Sequence, residues 1–241
     1  KAGPNIGVSV SVDYLIEEIA IAENSYSKKA EFMTKYCNIK QNSSIAWINY
    51  QTVENATKDQ YTLDDFRNTY CVGGIDLSQT TDLTACSIIV ERHGELYAFT
   101  KFFMPRNKIL ELQEREGVPY EKFISQGLVE ISGDNYVNYK DCFKWFCELV
   151  EEYQILPLQI GYDRYSAQYL VEDMKQYGFH MDDVFQGENL TPVIKEFDGM
   201  LRDGIFHIGN NNLLMAHFLN VAMKQNSETR KIRPVKIEER C

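Results

Sequence analysis

The stretch "CVGGIDLSQTTDLTACSIIV", residues 71–90, decides the fold of this chain. It contains two apolar runs, each typical of a buried strand, and it carries carboxylates at Asp76 and Asp82. An unpaired buried carboxylate is unfavourable, so it must be solvated, paired with a base or bound to a cation. Asp76, which ends the first run, therefore marks a point where the strand meets solvent, a base or a cation.

The composition is that of a folded, acidic protein. The chain has 241 residues, of which 44% are hydrophobic, enough for one large domain or one domain with an appended segment. The net charge of −10 argues against nucleic-acid binding, because such proteins usually show a basic surface. A cluster of acids that holds divalent cations also makes the net charge negative, however. Charge alone therefore leaves DNA binding open.

Several sequence features bear on where the protein acts. No apolar run approaches the ~20 residues of a membrane span, so we expect no membrane partner. The start, "KAGPNIGVSV", has no Met and no signal-peptide pattern, which predicts an excised piece of a protein that is not secreted. The six cysteines form no CxxC pair and do not combine with the four histidines at zinc-ligand spacing. We therefore predict reduced thiols in a cytosolic protein.

The chain divides near residue 68 into two parts of different character. Residues 1–68 predict a linker or neck, with an amphipathic helix at 11–24 and a short helix at 62–68. Residues 69–241 are patterned more tightly. They begin with three strand-like runs and short turns, which predict an antiparallel meander, and continue with alternating helices and strands up to a final hairpin at 224–240. This order predicts an α/β domain with a mixed sheet flanked by helices.

A second buried strand, "LPLQIGYDRY", also ends in an acid, Asp163. If this strand lies parallel beside the first, the two carboxylates meet at the carboxyl ends of neighbouring strands, where open α/β sheets bind ligands. A pair of Mg²⁺ or Mn²⁺ ions there would stabilise the attacking and leaving oxygens of a phosphodiester displacement. Alternatively, Asp76 caps a turn and Asp163 pairs with Arg164. The spacing leaves both interpretations open.

The sequence around the two acids is more specific than their spacing. "GGIDLSQTTDLTA" (73–85) followed by "IGYDRYSAQYLVEDM" (160–174) resembles the nuclease part of the large terminase subunit of tailed bacteriophages, which has an RNase H-like (retroviral-integrase superfamily) fold. Residues 184–223 and "GVSVSVDYL" (7–15) resemble adjoining parts of that family. The resemblance covers nearly the whole chain. It implies that 1–68 follows a packaging ATPase and that 69–241 is the nuclease domain; no GxxxxGK[ST] motif of the ATPase is present.

The resemblance also implies an activity and a set of site residues. Asp76 and Asp163 would be catalytic acids that hold Mg²⁺ or Mn²⁺ in a two-ion site. Asp82 matches a further acid, which assists a metal or caps the next strand. The third acid of the family is expected just after Cys241. The implied protein is an endodeoxyribonuclease that cuts concatemeric double-stranded DNA in the bacterial host cytoplasm, and the full-length protein would work with a small terminase subunit and a portal.

Other residues have two interpretations each. His207 lies at the rim of the site, as a similar histidine does in the family, or is simply packed, and Tyr165 is the tyrosine most suited to line the site. Lys231, Arg233 and Lys236, with Lys224 and Arg230, form a basic strip that contacts DNA phosphates or merely solvates an edge hairpin. Two rival functions stay open: another RNase H-like nuclease of the resolvase or transposase type, and a catalytically inactive interaction module of the packaging motor.

Overall fold

A computed structural model of the chain describes residues 46–77, 83–116, 119–163 and 168–237, together with the single positions 16 and 19. Two of the predicted site residues, Asp82 and Tyr165, lie outside the described residues. The same holds for nearly all of the predicted helix at 11–24.

A mixed sheet of seven strands forms the centre of the described part of the chain. In chain order its strands are β1 (Thr69–Asp76), β2 (Thr84–Arg92), β3 (Glu95–Met104), β4 (Val129–Ile131), β5 (Ile155–Asp163), β6 (Met181–Val184) and β7 (Phe206–His207). Their order across the sheet is β4-β3-β2-β1-β5-β6, and β7 pairs with β3. The first three strands are antiparallel neighbours, and β5 lies parallel beside β1. Both features confirm the prediction.

Helices flank this sheet, and a small hairpin lies apart from it. The helices are α1 (Tyr50–Ala56), α2 (Arg106–Glu116), α3 (Tyr120–Ser125), α4 (Tyr139–Glu151), α5 (Gln168–Tyr177), α6 (Thr191–Arg202) and α7 (Asn212–Leu219). Short 3-10 helices occupy Leu63–Phe66 and Glu188–Leu190, and the separate hairpin consists of β8 (Val221–Gln225) and β9 (Ile232–Lys236). The architecture is the predicted one, a mixed sheet flanked by helices.

Helix α4 covers one face of the sheet. Its buried residues are Cys142, Trp145, Phe146 and Leu149, which follow the i, i+3, i+4, i+7 spacing of an amphipathic helix. They form one apolar cluster with inward-facing strand residues that include Cys71, Ile75, Cys86, Ile88 and Ile160. This cluster is the main core, and it fixes β1 and β5 side by side.

The opposite face of the sheet is covered over only part of its width. Residues of α1, α6, α7 and β7 pack there against β2 and β3, through the side chains of Ile89 and Ala98. Over β1 and β5 that face is exposed: 49% of Val72 and 57% of Leu158 are accessible to solvent. The strands that carry the two acids therefore present an open surface.

The described portion of the predicted neck packs against the domain. The backbone N–H of Trp47 donates to the carbonyl of Val221 at 2.9 Å, and the carbonyl of Ala56 accepts from Ile208 at 2.8 Å. Ile48 and Val53 are fully buried in the cluster on the β2–β3 side. Residues 46–66 therefore contribute to the folded core, while the domain boundary at residue 68 stays a prediction.

Tyr61 is a polar anchor of this segment. Its hydroxyl lies 2.9 Å from the carbonyl oxygens of both Ala98 and His207, and burial raises the pKa of Tyr61. Because Tyr61→Phe removes the donor from two partly buried acceptors, it should lower the free energy of unfolding by about 1–2 kcal/mol, measured by urea denaturation. Tyr136→Phe is the control, since Tyr136 is 71% exposed, and it should change stability little. Equal stability of the two variants would contradict this anchoring role.

The cysteines and the helix lengths bear on the remaining predictions from composition. The four described cysteines are free thiols at positions 71, 86, 142 and 147. Burial raises the pKa of Cys71 to about 12 and that of Cys86 well above its ordinary value, so both thiols stay protonated and unreactive. Among the residues that the structure describes, no helix is long and apolar enough to cross a membrane.

Candidate active site

Asp76 and Asp163 end two neighbouring parallel strands. The register pairs Ile75 of β1 with Tyr162 of β5, so the next residue on each strand is one of the two acids. Paired strands lie ~4.8 Å apart, which lets both carboxylates reach the same small volume. Asp76 is exposed and Asp163 is half-buried. The structure thus brings the two predicted acids together, and their role in catalysis stays a prediction.

Small residues surround the acid pair on its face of the sheet. Asp76 pairs across the strands with Ala85, and one pleat earlier Gly74 pairs with both Ser87 and Gly161. Because side chains alternate between faces, these residues share the face of the acids. With the acids they line a cleft of about 340 Å³, whose remaining lining residues are Gly73, Ile75, Tyr162, Val184 and Gln186.

The two acids suit a hard divalent cation. Carboxylate oxygens are the ligands that Mg²⁺ and Mn²⁺ prefer. Within the described ranges, no group of three or more His, Cys, Asp or Glu side chains is placed to hold a metal ion. Two carboxylates fit an ion such as Mg²⁺, which usually keeps several of its water ligands.

The structure does not bring His207 to this cleft. His207 pairs with Tyr97 of β3, which in turn faces Val90 of β2. Val90 is five residues along β2 from Ala85, the partner of Asp76, or about 17 Å at ~3.4 Å per residue. The predicted rim position is therefore not observed, because the two-residue strand β7 places this histidine near the other end of the sheet.

His207 is instead buried beside two exposed carboxylates. Its Nδ1 lies 2.7 Å from Oδ2 of Asp59 and its Nε2 lies 3.2 Å from Oε2 of Glu95. The imidazole stacks on the ring of Tyr97 with centroids 4.7 Å apart. The Tyr97 hydroxyl donates to Glu95, which lowers the pKa of that carboxyl. The packed role, the alternative considered from the sequence, describes this geometry.

The basic strip lies on the β8–β9 hairpin, whose turn contacts the segment that follows the cleft residue Gln186. Its members, Lys224, Arg230, Lys231, Arg233 and Lys236, are all exposed. Asn226 in the turn donates to Glu188 at 2.9 Å, and Glu188 is two residues beyond the cleft residue Gln186. Two residues span at most ~7 Å, so the hairpin is tied to the cleft edge. Contact of this strip with DNA stays a prediction.

Apart from the two acids, the residues that line the cleft were not predicted from the sequence, among them Gly74, Ser87 and Gln186. The available signal for Gln186 is its position two residues after the end of strand β6, at the sheet edge where ligands bind. Ser87 and Gly74 become visible only through the register that pairs them. A cleft assembled from four strands cannot be predicted from any one of them.

The fold and the cleft together define a class of protein. An antiparallel meander followed by parallel strands, with acids at the ends of two central strands, is an RNase H-like α/β domain. The family model "Terminase large subunit, endonuclease domain" matches residues 1–240. The chain belongs to this family, which places it apart from the resolvase and transposase classes.

Individual relatives are distant in sequence. Protein YmfN of Escherichia coli (strain K12) is 23% identical over 235 residues, covering 93% of this chain and 51% of YmfN. The terminase large subunit of Lactococcus phage p2 is 23% identical over 226 residues, covering 92% of this chain and 41% of its own length. The crystal structure of the HK97 bacteriophage large terminase matches with a TM-score of 0.69 at 18% identity, covering 97% of this chain and 48% of that one. The chain thus spans about half the length of these proteins or less, and the HK97 likeness shows the shared fold.

Proposed function

We propose that this chain is a metal-dependent endonuclease domain that hydrolyses phosphodiester bonds of double-stranded DNA and cuts concatemeric viral DNA during genome packaging. The observation that supports this most is the pair of acids at adjacent strand ends, facing one cleft, in a chain of the terminase endonuclease family. The carboxyl ends of parallel strands are where α/β sheets bind their ligands.

Asp76 and Asp163 would hold Mg²⁺ or Mn²⁺ in a two-ion site, with Asp82 as a further candidate. Bound ions would supply charge stabilisation for the attacking and leaving oxygens of the displacement. The two carboxylates would hold the ions at the cleft and so would determine where a scissile phosphate could bind. The amide of Gln186, at the cleft edge, offers two N–H donors for a phosphate oxygen.

The DNA would be held by its phosphates and not read by its bases. The exposed basic strip of the hairpin supplies charge beside the cleft, and the net charge of −10 disfavours DNA elsewhere. The isolated domain should therefore bind weakly and cut with little sequence preference. Target choice would come from the full-length protein acting with a small terminase subunit and a portal, in the cytoplasm of the bacterial host and without a membrane partner.

A plasmid-nicking assay tests this proposal directly. Supercoiled plasmid incubated with the chain and Mn²⁺ should be nicked and then linearised at many positions, and EDTA should stop the reaction because the carboxylates then have no ion to hold. DNA binding without any cutting, in Mg²⁺ or Mn²⁺, would favour the inactive interaction module instead. Cleavage of naked DNA at a single preferred site would contradict the proposed lack of sequence preference.

A further inference from the structure

The fold does not explain why residue 74 is a glycine. Gly74 lies inside strand β1, where glycine is less favourable than a residue with a side chain. Its φ is not among the positive values that require glycine. Among the residues that the structure describes, a Cβ built on Gly74 would meet no atom within 4 Å, so none of these neighbours demands its absence. Backbone conformation and protein packing would both allow a larger residue here.

Two neighbouring glycines differ from Gly74 in this respect. A Cβ on Gly73 would lie 3.0 Å from Cε1 of Phe146 and 3.0 Å from Cγ1 of Ile160, on the core face of the sheet. A Cβ on Gly161 would lie 3.0 Å from Cγ2 of Val184. A side chain at 73 or 161 would therefore crowd its neighbours, whereas at 74 none of the described residues occupies the space.

That empty space adjoins the acid pair. Gly74 is one pleat before Asp76 on the same face, ~7 Å along the strand, and it lines the same cleft. Gly161 beside it also has no side chain of its own, but the side chain of Val184 lies close to it. The uncovered strip behind the acids therefore runs along β1 at Gly74. Ser87 borders this strip, with its hydroxyl 2.8 Å from that of Thr100. A strand glycine of this kind marks a place where a ligand comes close to the backbone.

We propose that Gly74 is the point where the sugar–phosphate backbone of bound DNA lies against the sheet. A side chain there would lift the DNA away from β1 and move the scissile phosphate away from Asp76 and Asp163. Gly74 is thus a positioning residue that admits a polymeric diester to the cleft. This inference rests on the proposed function and adds the route by which the substrate reaches the acids.

The test compares Gly74→Val with the intact chain in four measurements: thermal melting, duplex affinity, plasmid cleavage and hydrolysis of a small diester. Valine suits a strand, so the variant should fold and melt at or above the normal temperature. Its affinity for a short duplex in Ca²⁺, measured by fluorescence anisotropy at low salt, should fall by about tenfold. Its cleavage of subsaturating plasmid in Mn²⁺ should fall at least as much. Hydrolysis of bis(p-nitrophenyl) phosphate, a diester too small to need the strip, should stay within about threefold of the intact chain.

Gly199→Ala is the matched control, because a Cβ at this α6 glycine also meets no atom within 4 Å and Gly199 does not line the cleft. It should leave duplex affinity, plasmid cleavage and small-diester hydrolysis unchanged. Duplex affinity of Gly74→Val within about twofold of the intact chain would overturn the inference, whether or not the intact chain cuts DNA. The intact chain could fail to cut while Gly74→Val still loses duplex affinity. In that case the nuclease proposal fails, but the proposed contact of DNA with the sheet at Gly74 stands. A parallel loss of small-diester hydrolysis would also overturn it, since the valine would then disturb the acids themselves.

Discussion

Replacing Asp76 with Ala should reduce Mn²⁺-dependent DNA cleavage by on the order of 10³ or more, the scale of losing a group that acts on the reacting atoms. The reason lies in the geometry of the two strand ends. With one carboxylate gone, Asp163 alone faces the cleft from the adjacent strand, and an ion loses the ligand that places it beside the scissile phosphate. Plasmid-nicking rates at saturating Mn²⁺ measure this loss. Asp163→Ala should behave in the same way.

The melting temperature of Asp76→Ala shows whether its loss of cleavage comes from the missing carboxylate or from unfolding. Removing one of two nearby carboxylates relieves like-charge repulsion, so Asp76→Ala should melt at the normal temperature or slightly above it. Asp183→Asn is the matched control, since Asp183 is an exposed acid next to the cleft residue Val184 but outside the cleft lining. Normal nicking by Asp76→Ala would show that the acid pair is not the catalytic site. Equal loss in Asp183→Asn would show that any acid near β6 matters.

The sequence predicted those parts of the fold that have strong local patterns. Strands β1, β2 and β3 are long apolar runs separated by turns, and the turn between β2 and β3 contains Gly94 at φ 84, which glycine adopts without strain. Helix α4 was predictable because four of its core residues recur at helical spacing. The acid pair was predictable because each acid ends an apolar strand. A carboxylate in that position must be solvated, paired with a base or bound to a cation.

The missed parts depend on contacts between distant segments. Helix α1 has seven residues, too few for a periodic signal, and its start relies on one cap, the Asn49 side chain that accepts from Thr52. Strand β7 has two residues and exists only because β3 offers it an edge, so the position of His207 could not follow from its neighbours in sequence. The open space at Gly74 is a property of three paired strands and of what the helices leave uncovered.

The basic hairpin should carry much of the affinity for DNA. Lys224 and Arg233 face each other across β8 and β9, and like charges in that position are unfavourable unless an anion lies near them. Replacing Lys231, Arg233 and Lys236 with Ala should weaken duplex binding at low salt by about ten- to a hundredfold. The slope of log K against log salt should become less steep by about 2–3, because each lost phosphate contact removes about one unit. Anisotropy titrations between low and moderate salt measure both quantities.

A second triple variant tests position against overall charge. The control variant replaces three exposed lysines with Ala: Lys58 just after α1, Lys122 in α3 and Lys140 in α4. It removes the same total charge at positions far from the hairpin in sequence. If the strip contacts phosphates, only the hairpin variant should lose salt dependence, since counterions are released where charges meet the DNA. If the hairpin charges serve only to keep an exposed sheet edge from pairing with other chains, both variants should bind DNA equally and the hairpin variant should aggregate more readily. Light scattering alongside the titrations therefore decides between the two roles, because each role predicts a change that the other does not.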